Sequence, residues 1–349
     1  MSVNLSHDKY MGRCIALGRL GLGNVAPNPM VGCVIVFENQ IIGEGFHTKH
    51  GNNHAEVEAI QHVLQRFDET ILSKSTLYVN LEPCSHFGKT PPCVDLILKY
   101  KIPRVVIGNI DLNPKIKGQS IQKLKDYGTE VTTEVLENKC YQLNKRFFTF
   151  HTLKRPYVIL KWAQTKDGFI SRKTIDLPTK NNWISSDLSR KLVHKWRSEE
   201  QAILVGANTV KTDNPELSTR FWTGKHPLRV VIDRYGTLNR NFAVFNNVAE
   251  TIVFSEINKD DNIVINFNDS IGNQILHHLY KLSITSIIIE GGTKTLNCFL
   301  QENLWDEARV FTGNTCFYEG IKAPEIKGKL QYNLKISTDQ LSIFQNVFH

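Results

Sequence analysis

Leu81-Glu82-Pro83-Cys84-Ser85-His86-Phe87-Gly88-Lys89-Thr90-Pro91-Pro92-Cys93, read with His54-Ala55-Glu56 upstream, is the stretch around which this chain is organised. One histidine, two cysteines and a glutamate that is not itself a ligand form the residue set of a zinc-dependent nucleobase deaminase. Three protein ligands leave the fourth tetrahedral position to water, whose pKa zinc lowers to roughly 7. His54, Cys84 and Cys93 are the candidate ligands. Glu56, two residues past His54, can lie beside that water without entering the coordination shell, take its proton, and deliver it to the ring nitrogen and the departing ammonia.

The flanking pattern supports this placement. His54 to Ile60 and Pro92 to Leu98 each open a helical pattern, so two helix N-termini would face the metal and favour thiolate and anion there. Between them Thr76 to Leu81 is a short apolar run rich in strand formers, which would deliver Pro83-Cys84 to the same rim. The zinc-deaminase signature ordinarily ends in Pro-Cys-x-x-Cys. Here eight residues, Ser85 to Pro92, separate the two cysteines.

At 349 residues, 41% apolar and 22% charged, the chain has the size of two domains and the composition of a globular protein. No apolar run is long enough for a membrane span, and Met1 to Lys9 lacks a hydrophobic signal core, so a cytoplasmic location is expected. Seven scattered cysteines make no disulfide framework; Cys84 and Cys93 read as metal ligands and the other five as small buried hydrophobes. The net charge of +8 is spread over both halves, with no basic arm and no aromatic stacking motif. Phosphorylated small molecules account for it without nucleic acid.

In chain order, a helix from Asp8 to Leu20 and a Gly/Asn/Pro-rich loop precede strands at Gly32 to Phe37 and Gln40 to Phe46, with the turn at Asn39. After the zinc-site segments come a strand at Arg104 to Gly108, a helix near Ser120 to Tyr127 and a strand at Thr129 to Thr133. A polar helical segment ends at Lys154-Arg155-Pro156, which puts a domain boundary near 151 and two domains at 1–150 and 151–349. The second half restarts with a strand at Tyr157 to Ala163. A helix from Asp187 to Ser198 follows, capped by Ser185 or Ser186, then strands at Ala202 to Val205, Leu228 to Ile232, Thr251 to Phe254 and Ile284 to Glu290, with a helix at Ile271 to Leu282. At Glu290-Gly291-Gly292 a strand gives way to a helix from Lys294 to Gln301, a turn that lets main-chain amides approach a phosphate. No Gly-x-Gly-x-x-Gly occurs, so the residues alone name no nicotinamide site. Alternating strands and helices in both halves argue two α/β domains.

The block Glu82 to Cys93 closely resembles the deaminase half of the bifunctional riboflavin biosynthesis deaminase/reductase family. The resemblance includes Pro27 to Cys33, Gly43 to His47 and Asp111 to Pro114, and it continues through Lys161 to Gly168, Trp183-Ile184-Ser185, Gly206 to Arg220 and Glu290-Gly291-Gly292. It implies an N-terminal cytidine-deaminase-like α/β sandwich and a C-terminal dihydrofolate-reductase-like α/β domain. It also implies zinc and NADPH as cofactors, and a deamination of a diaminopyrimidinone nucleotide followed by reduction of its ribosyl group. By similarity, Asn28, His47, His86, Lys89, Asp111 and Asn113 would hold the substrate in the first domain. In the second, Ala163, Trp183, Thr209, Asp213, Gly291 and Gly292 would hold NADPH, and Lys161, Asn181, Arg197, Leu217, Arg220 and Glu290 the substrate, the two arginines suiting its phosphate. One departure is visible: where the family often has a Gly-Glu-Ser-like stretch before Trp-Ile-Ser, this chain has Leu177 to Asn182. A homo-oligomer, dimer or tetramer, is expected, with no nucleic-acid or membrane partner. A base deaminase acting on tRNA would bind tRNA at physiological salt, and a non-catalytic zinc module would not need Glu56.

Overall fold

The computed structural model describes residues 2–85, 91–112, 118–172 and 183–347. The chain divides into two compact units, Met1–Lys154 and Arg155–His349, and the boundary expected near 151 falls in the last turn of the helix that closes the first unit.

In the first unit α1 (Ser2–Arg19), β1 (Gly32–Phe37), β2 (Gln40–Phe46), α2 (Ala55–Leu64), β3 (Thr76–Leu81), α3 (Cys93–Lys99), β4 (Arg104–Asn109), α4 (Gln119–Asp126), β5 (Glu130–Thr132) and α5 (Glu137–Leu153) follow one another. The strands lie in the order β2-β1-β3-β4-β5. β1 and β2 form an antiparallel hairpin whose turn residues Glu38 and Asn39 are both left-handed, with φ 46° and 62°, the backbone a two-residue hairpin turn requires. β3, β4 and β5 run parallel. Every residue of β3 is buried, because its side chains alternate between two covered faces. Cys33, Ile35, Leu77, Val79, Val105 and Ile107 pack in one core with residues of α2, α3 and α4. Val34, Val36, Tyr78 and Val106 pack in another with Met11 and Cys14 of α1 and Leu143 of α5. The expected α/β sandwich is present, with helices on both faces. A Cβ on Gly45 of β2 would lie 2.4 Å from the Ala59 amide nitrogen and 2.5 Å from the Ala55 carbonyl oxygen, so glycine there lets α2 sit close against the sheet.

The second unit contains β6 (Tyr157–Gln164), β7 (Phe169–Ser171), α6 (Asp187–Glu199), β8 (Ala202–Gly206), α7 (Ala207–Asp213), β9 (Leu228–Ile232), β10 (Thr251–Ser255), β11 (Ile263–Val264), α8 (Ile271–Lys281), β12 (Ser286–Ile289), α9 (Thr293–Gln301), β13 (Glu307–Thr312), β14 (Ile321–Lys322), β15 (Lys329–Ile336) and β16 (Asp339–Gln345). Its main sheet runs β11-β10-β9-β8-β12-β6-β13-β16-β15. The strands are parallel from β11 to β13, whereas β16 is antiparallel to both neighbours. Val158, Leu160, Leu204, Val230 and Ile289 pack with Ile275 and Leu279 of α8 and Phe299 of α9. Ile159, Ile203, Val205, Val231 and Ile288 pack with Val193 and Trp196 of α6 and Val210 of α7. α6 is capped by Ser186, whose Oγ accepts from the Ser189 amide at 3.3 Å.

Residues after Gln301 form three strands of this sheet for which the pattern gave no signal. Within β13 Glu307 and Arg309 pair at 2.6 Å, so a buried strand reads as charged. β15 is an edge strand, and its Leu330, Tyr332 and Leu334 stay about half exposed.

The entry to this unit is held by a buried ion pair. Arg155 donates from Nη1 and Nη2 to the two Asp306 carboxylate oxygens at 2.6 and 2.9 Å, and Asp306 also accepts from the Val158 amide at 2.7 Å. Removing one partner leaves the other charge buried and uncompensated. Asp306→Ala is expected to destabilise the second unit by about 3–5 kcal/mol, read as an early transition in denaturant unfolding.

Candidate active sites

His54 is the extended N-cap of α2, with φ −74° and ψ 160°, Cys93 is the first residue of α3, and Cys84 lies just past the end of β3. Their ligand atoms all lie within 4.8 Å of one another. His54 Nδ1 is 3.5 Å from Cys84 Sγ and 3.3 Å from Cys93 Sγ, and the Cys93 amide donates to Cys84 Sγ at 3.3 Å. Tetrahedral zinc with its usual bond lengths separates neighbouring S and N ligands by about 3.5 Å, so these residues fit the ion. Among the described residues no other trio of His, Cys, Asp or Glu converges in this way.

Hydrogen bonds from the Cys93 side chain and from His54, with the Cys93 amide, hold the Cys84 thiol below its ordinary value. Cys93, on the other side of the shared hydrogen bond and buried, is pushed up. Glu56, in the first turn of α2, is 3% exposed; burial, then the neighbouring Cys84, pushes its carboxyl up to about 7.

Asn28 and His47 form the adjoining wall. His47 is buried with its ring edge-on to His54 at 5.6 Å. Its Nδ1 lies 2.9 Å from the Asn53 carbonyl and its Nε2 3.0 Å from Asn28 Nδ2. A carbonyl can only accept, so Nδ1 carries the proton and Nε2 accepts from the Asn28 amide. Burial lowers the imidazole pKa and keeps it neutral. The Asn28 loop is fixed by two buried asparagines whose roles the sequence reading misses. Asn144 Oδ1 accepts from the Met30 amide at 2.8 Å, while Asn144 Nδ2 and Asn80 Nδ2 both donate to the Met30 carbonyl at 3.0 Å. Asn80 was detectable, as a polar residue inside an otherwise apolar strand that must be bonded to be buried. Asp111 is also buried, beyond the end of β4. His86, Lys89 and Asn113 lie outside the described residues.

In the second unit the expected substrate residues gather on Glu290, which follows β12. Its Oε2 is 3.0 Å from Arg197 Nη2 and 3.8 Å from Lys161 Nζ. Burial would raise this carboxyl, but Arg197 and then Lys161 hold it below its ordinary value. Burial lowers the Lys161 ammonium against the pull of Glu290. Arg197 Nη1 also donates to the Ser218 carbonyl at 3.3 Å, next to buried Leu217. Arg220 is exposed, 3.9 Å from Glu216 and over the Phe221 ring at 5.1 Å.

His194 of α6 belongs with this group, although the sequence did not single it out. It is 5% exposed, and burial, then Arg197 and Arg220, lower its imidazole to about 4. His194 Nδ1, Arg197 Nε and Glu290 Oε1 are buried atoms without a partner, so the cluster has hydrogen-bonding capacity left over for a ligand. Beside it, Gly291 at φ 126° is left-handed, and the Gly292 amide donates to Thr209 Oγ1 at 3.2 Å. This opens the N-terminus of α9, which Gly292 caps without a side chain. Ala163, on β6, is half-buried against the α6 side of the core. Trp183 is exposed with Arg190 over its ring at 4.3 Å, and Asp213 is exposed at the end of α7. No hydrogen bond, ion pair or ring contact among the described residues ties Trp183 or Asp213 to the Glu290 cluster. Asn181 lies outside the described residues, as does the divergent stretch Leu177 to Asn182.

Residues 5–109 match the cytidine and deoxycytidylate deaminase zinc-binding region, and residues 156–317 match the RibD C-terminal domain. The chain is 38% identical to the riboflavin biosynthesis protein RibD of Aquifex aeolicus, across 91% of this chain and 89% of that protein. The chain belongs to the RibD family. It is also similar to RibD of Bacillus amyloliquefaciens, at 37% identity over 87% of this chain and 83% of that protein. A solved Thermotoga maritima structure, a diaminohydroxyphosphoribosylaminopyrimidine deaminase/5-amino-6-(5-phosphoribosylamino)uracil reductase, superposes with a TM-score of 0.89 at 37% identity, covering 98% of this chain and 99% of that one. RibD of Acinetobacter baumannii does so at 0.87 and 30% identity, with the same coverage. As a RibD protein the chain is a bifunctional enzyme of riboflavin biosynthesis, with a zinc-binding deaminase region and an NADPH-using reductase region. No described helix is long and apolar enough to cross a membrane.

Two measurements check the geometry of this RibD chain. Metal analysis is expected to find one zinc per chain, lost in Cys84→Ser. His194 binds a proton in the unfolded chain near its ordinary 6.5 but in the folded chain only near 4. Its contribution to stability is therefore complete above 6.5 and is lost as pH falls from 6.5 towards 4. His194→Gln is expected to flatten the acid-side decline of unfolding free energy in that window relative to the parent.

Proposed function

We propose that the first unit deaminates 2,5-diamino-6-(5-phosphoribosylamino)pyrimidin-4-one to 5-amino-6-(5-phosphoribosylamino)uracil. The second then reduces the ribosyl group to give 5-amino-6-(5-phosphoribitylamino)uracil. The observation that carries this reading is the convergence of His54, Cys84 and Cys93 beside buried Glu56, in a chain whose other unit gathers Lys161, Arg197 and Glu290. The deaminase domain is assigned to 1–150 and the reductase to 151–349. The assignment includes a cytoplasmic homo-oligomer, and the evenly spread charge favours small-molecule substrates over nucleic acid.

His54, Cys84 and Cys93 would hold zinc, which supplies Lewis acidity that makes water a nucleophile at neutral pH. Water adds to the amine-bearing ring carbon, and the C–N bond breaks to give carbonyl and ammonia. Glu56 takes one proton from the attacking water and passes it to the ring nitrogen, then takes the proton of the newly formed hydroxyl and delivers it to the leaving amine. His47 and Asn28 present a wall of fixed tautomer to the substrate, with Asp111, Asn113, His86 and Lys89 completing the contacts. In the reductase, Arg197 and Arg220 take the phosphate, while Lys161, Leu217, Asn181 and Glu290 orient the ring-opened ribose carbonyl. The hydride for that carbonyl comes from NADPH, held by Ala163, Trp183, Thr209, Asp213, Gly291 and Gly292.

Glu56→Gln is expected to cut ammonia release by about 10²–10⁴-fold. Zinc content should stay intact, as should NADPH oxidation with the deaminated intermediate. Full ammonia release in this variant would remove the proton-transfer role.

A further inference from the structure

Glu82 precedes Pro83-Cys84 and has no part in the chemistry assigned above. Its side chain is 4% exposed, and the described partners of its carboxylate are main-chain amides. Oε2 accepts from the amides of Asp111 and Gly118 at 3.0 and 3.1 Å, and Oε1 accepts from Ser120 at 3.2 Å. The Glu82 amide donates in turn to the Asn109 carbonyl at 2.8 Å. Gly118 is the left-handed N-cap of α4, at φ 75°, and Ser120 lies in its first turn. The carboxylate thus faces the amide end of α4, where unpaired N–H groups and the helix dipole favour an anion.

The same residue therefore makes two connections. Its main chain continues the β3–β4 pairing up to the strand end that leads to Cys84. Its side chain ties Asp111 to Gly118 and Ser120 at the start of α4. Among the described residues three donors converge on two oxygens, a demand that a carboxylate meets and an amide cannot, since glutamine offers one acceptor oxygen and turns N–H donors toward other N–H donors.

We infer that Glu82 is a positioning residue for deamination, fixing Asp111 at a set distance from the metal ligand Cys84. It touches no reacting atom. This role rests on the assignment of Asp111 to the substrate.

The test uses the full-length, zinc-loaded enzyme, with ammonia release from the pyrimidine nucleotide as the readout. Glu82→Gln is expected to raise KM about tenfold with kcat within about twofold. Zinc stoichiometry and NADPH oxidation with the deaminated intermediate should be unchanged. Gly118→Ala, which strains the left-handed cap at the other end of the same tie, should raise KM in the same direction and serves if Glu82→Gln fails to fold. Asp111→Asn is measured in parallel. An unchanged KM in Asp111→Asn overturns the substrate assignment on which the role rests. A raised KM there, with KM unchanged in Glu82→Gln and Gly118→Ala, overturns the positioning role alone. Loss of zinc together with kcat in Glu82→Gln also overturns it, leaving a brace for the metal loop.

Discussion

The parallel pairing of β3 with β4 is the constraint on which the deaminase site depends. It sets Leu81 opposite Asn109, and the bond from the Glu82 amide to the Asn109 carbonyl carries the register one step past the strands. The chain then emerges from both strands at one edge, with Cys84 on one exit and Asp111 on the other. Open α/β sheets bind ligands at the carboxyl ends of parallel strands for this reason. The helices α2 and α3 bring His54 and Cys93 to that edge by their N-termini, so strand ends and helix starts supply all three candidate ligands. Main-chain dipoles and ligand chemistry favour the same charge there.

The second unit solves a related problem with charge in place of a metal. Glu290 leaves the end of β12, between β8 and β6 in the sheet. Two cations from other elements, Lys161 on β6 and Arg197 on α6, meet its carboxylate. A buried acid with two bases would be costly to desolvate without such pairing. The pairing leaves Arg197 Nε, Glu290 Oε1 and His194 Nδ1 unmatched, an arrangement suited to a polar ligand that completes it. The neutral His194 and the buried Arg197 also show how one helix can present a hydrogen-bonding group and a cation one turn apart.

Much of this was readable from residue order. Thr76 to Leu81 reads as a buried strand because the run is apolar and rich in strand formers on either side of Asn80, with no polar alternate face to turn to water, and it is buried throughout. His-x-Glu at the start of a helical pattern puts the histidine at the cap and the glutamate in the first turn, and His54 and Glu56 stand at those positions. The reading failed where the pattern conflicts with the environment. β13 carries Glu307 and Arg309, which neutralise each other only once the strand is folded. His194 looks like an ordinary helical histidine until Arg197 and Arg220 are placed around it.

The sequence by itself determined the chemistry: which residue types could hold zinc, which acid could move protons, and which alternation of strands and helices could carry them. These are properties of side-chain type and short-range spacing, and they survive without coordinates. Only the tertiary structure decided which residues hold the others in place. Asn144 reaches Met30 from more than a hundred positions away, and Glu82 accepts from the amides of Asp111, Gly118 and Ser120. Such contacts are made by a single buried polar group to distant main chain, and no local periodicity records them, because the partner is a backbone atom that every residue possesses.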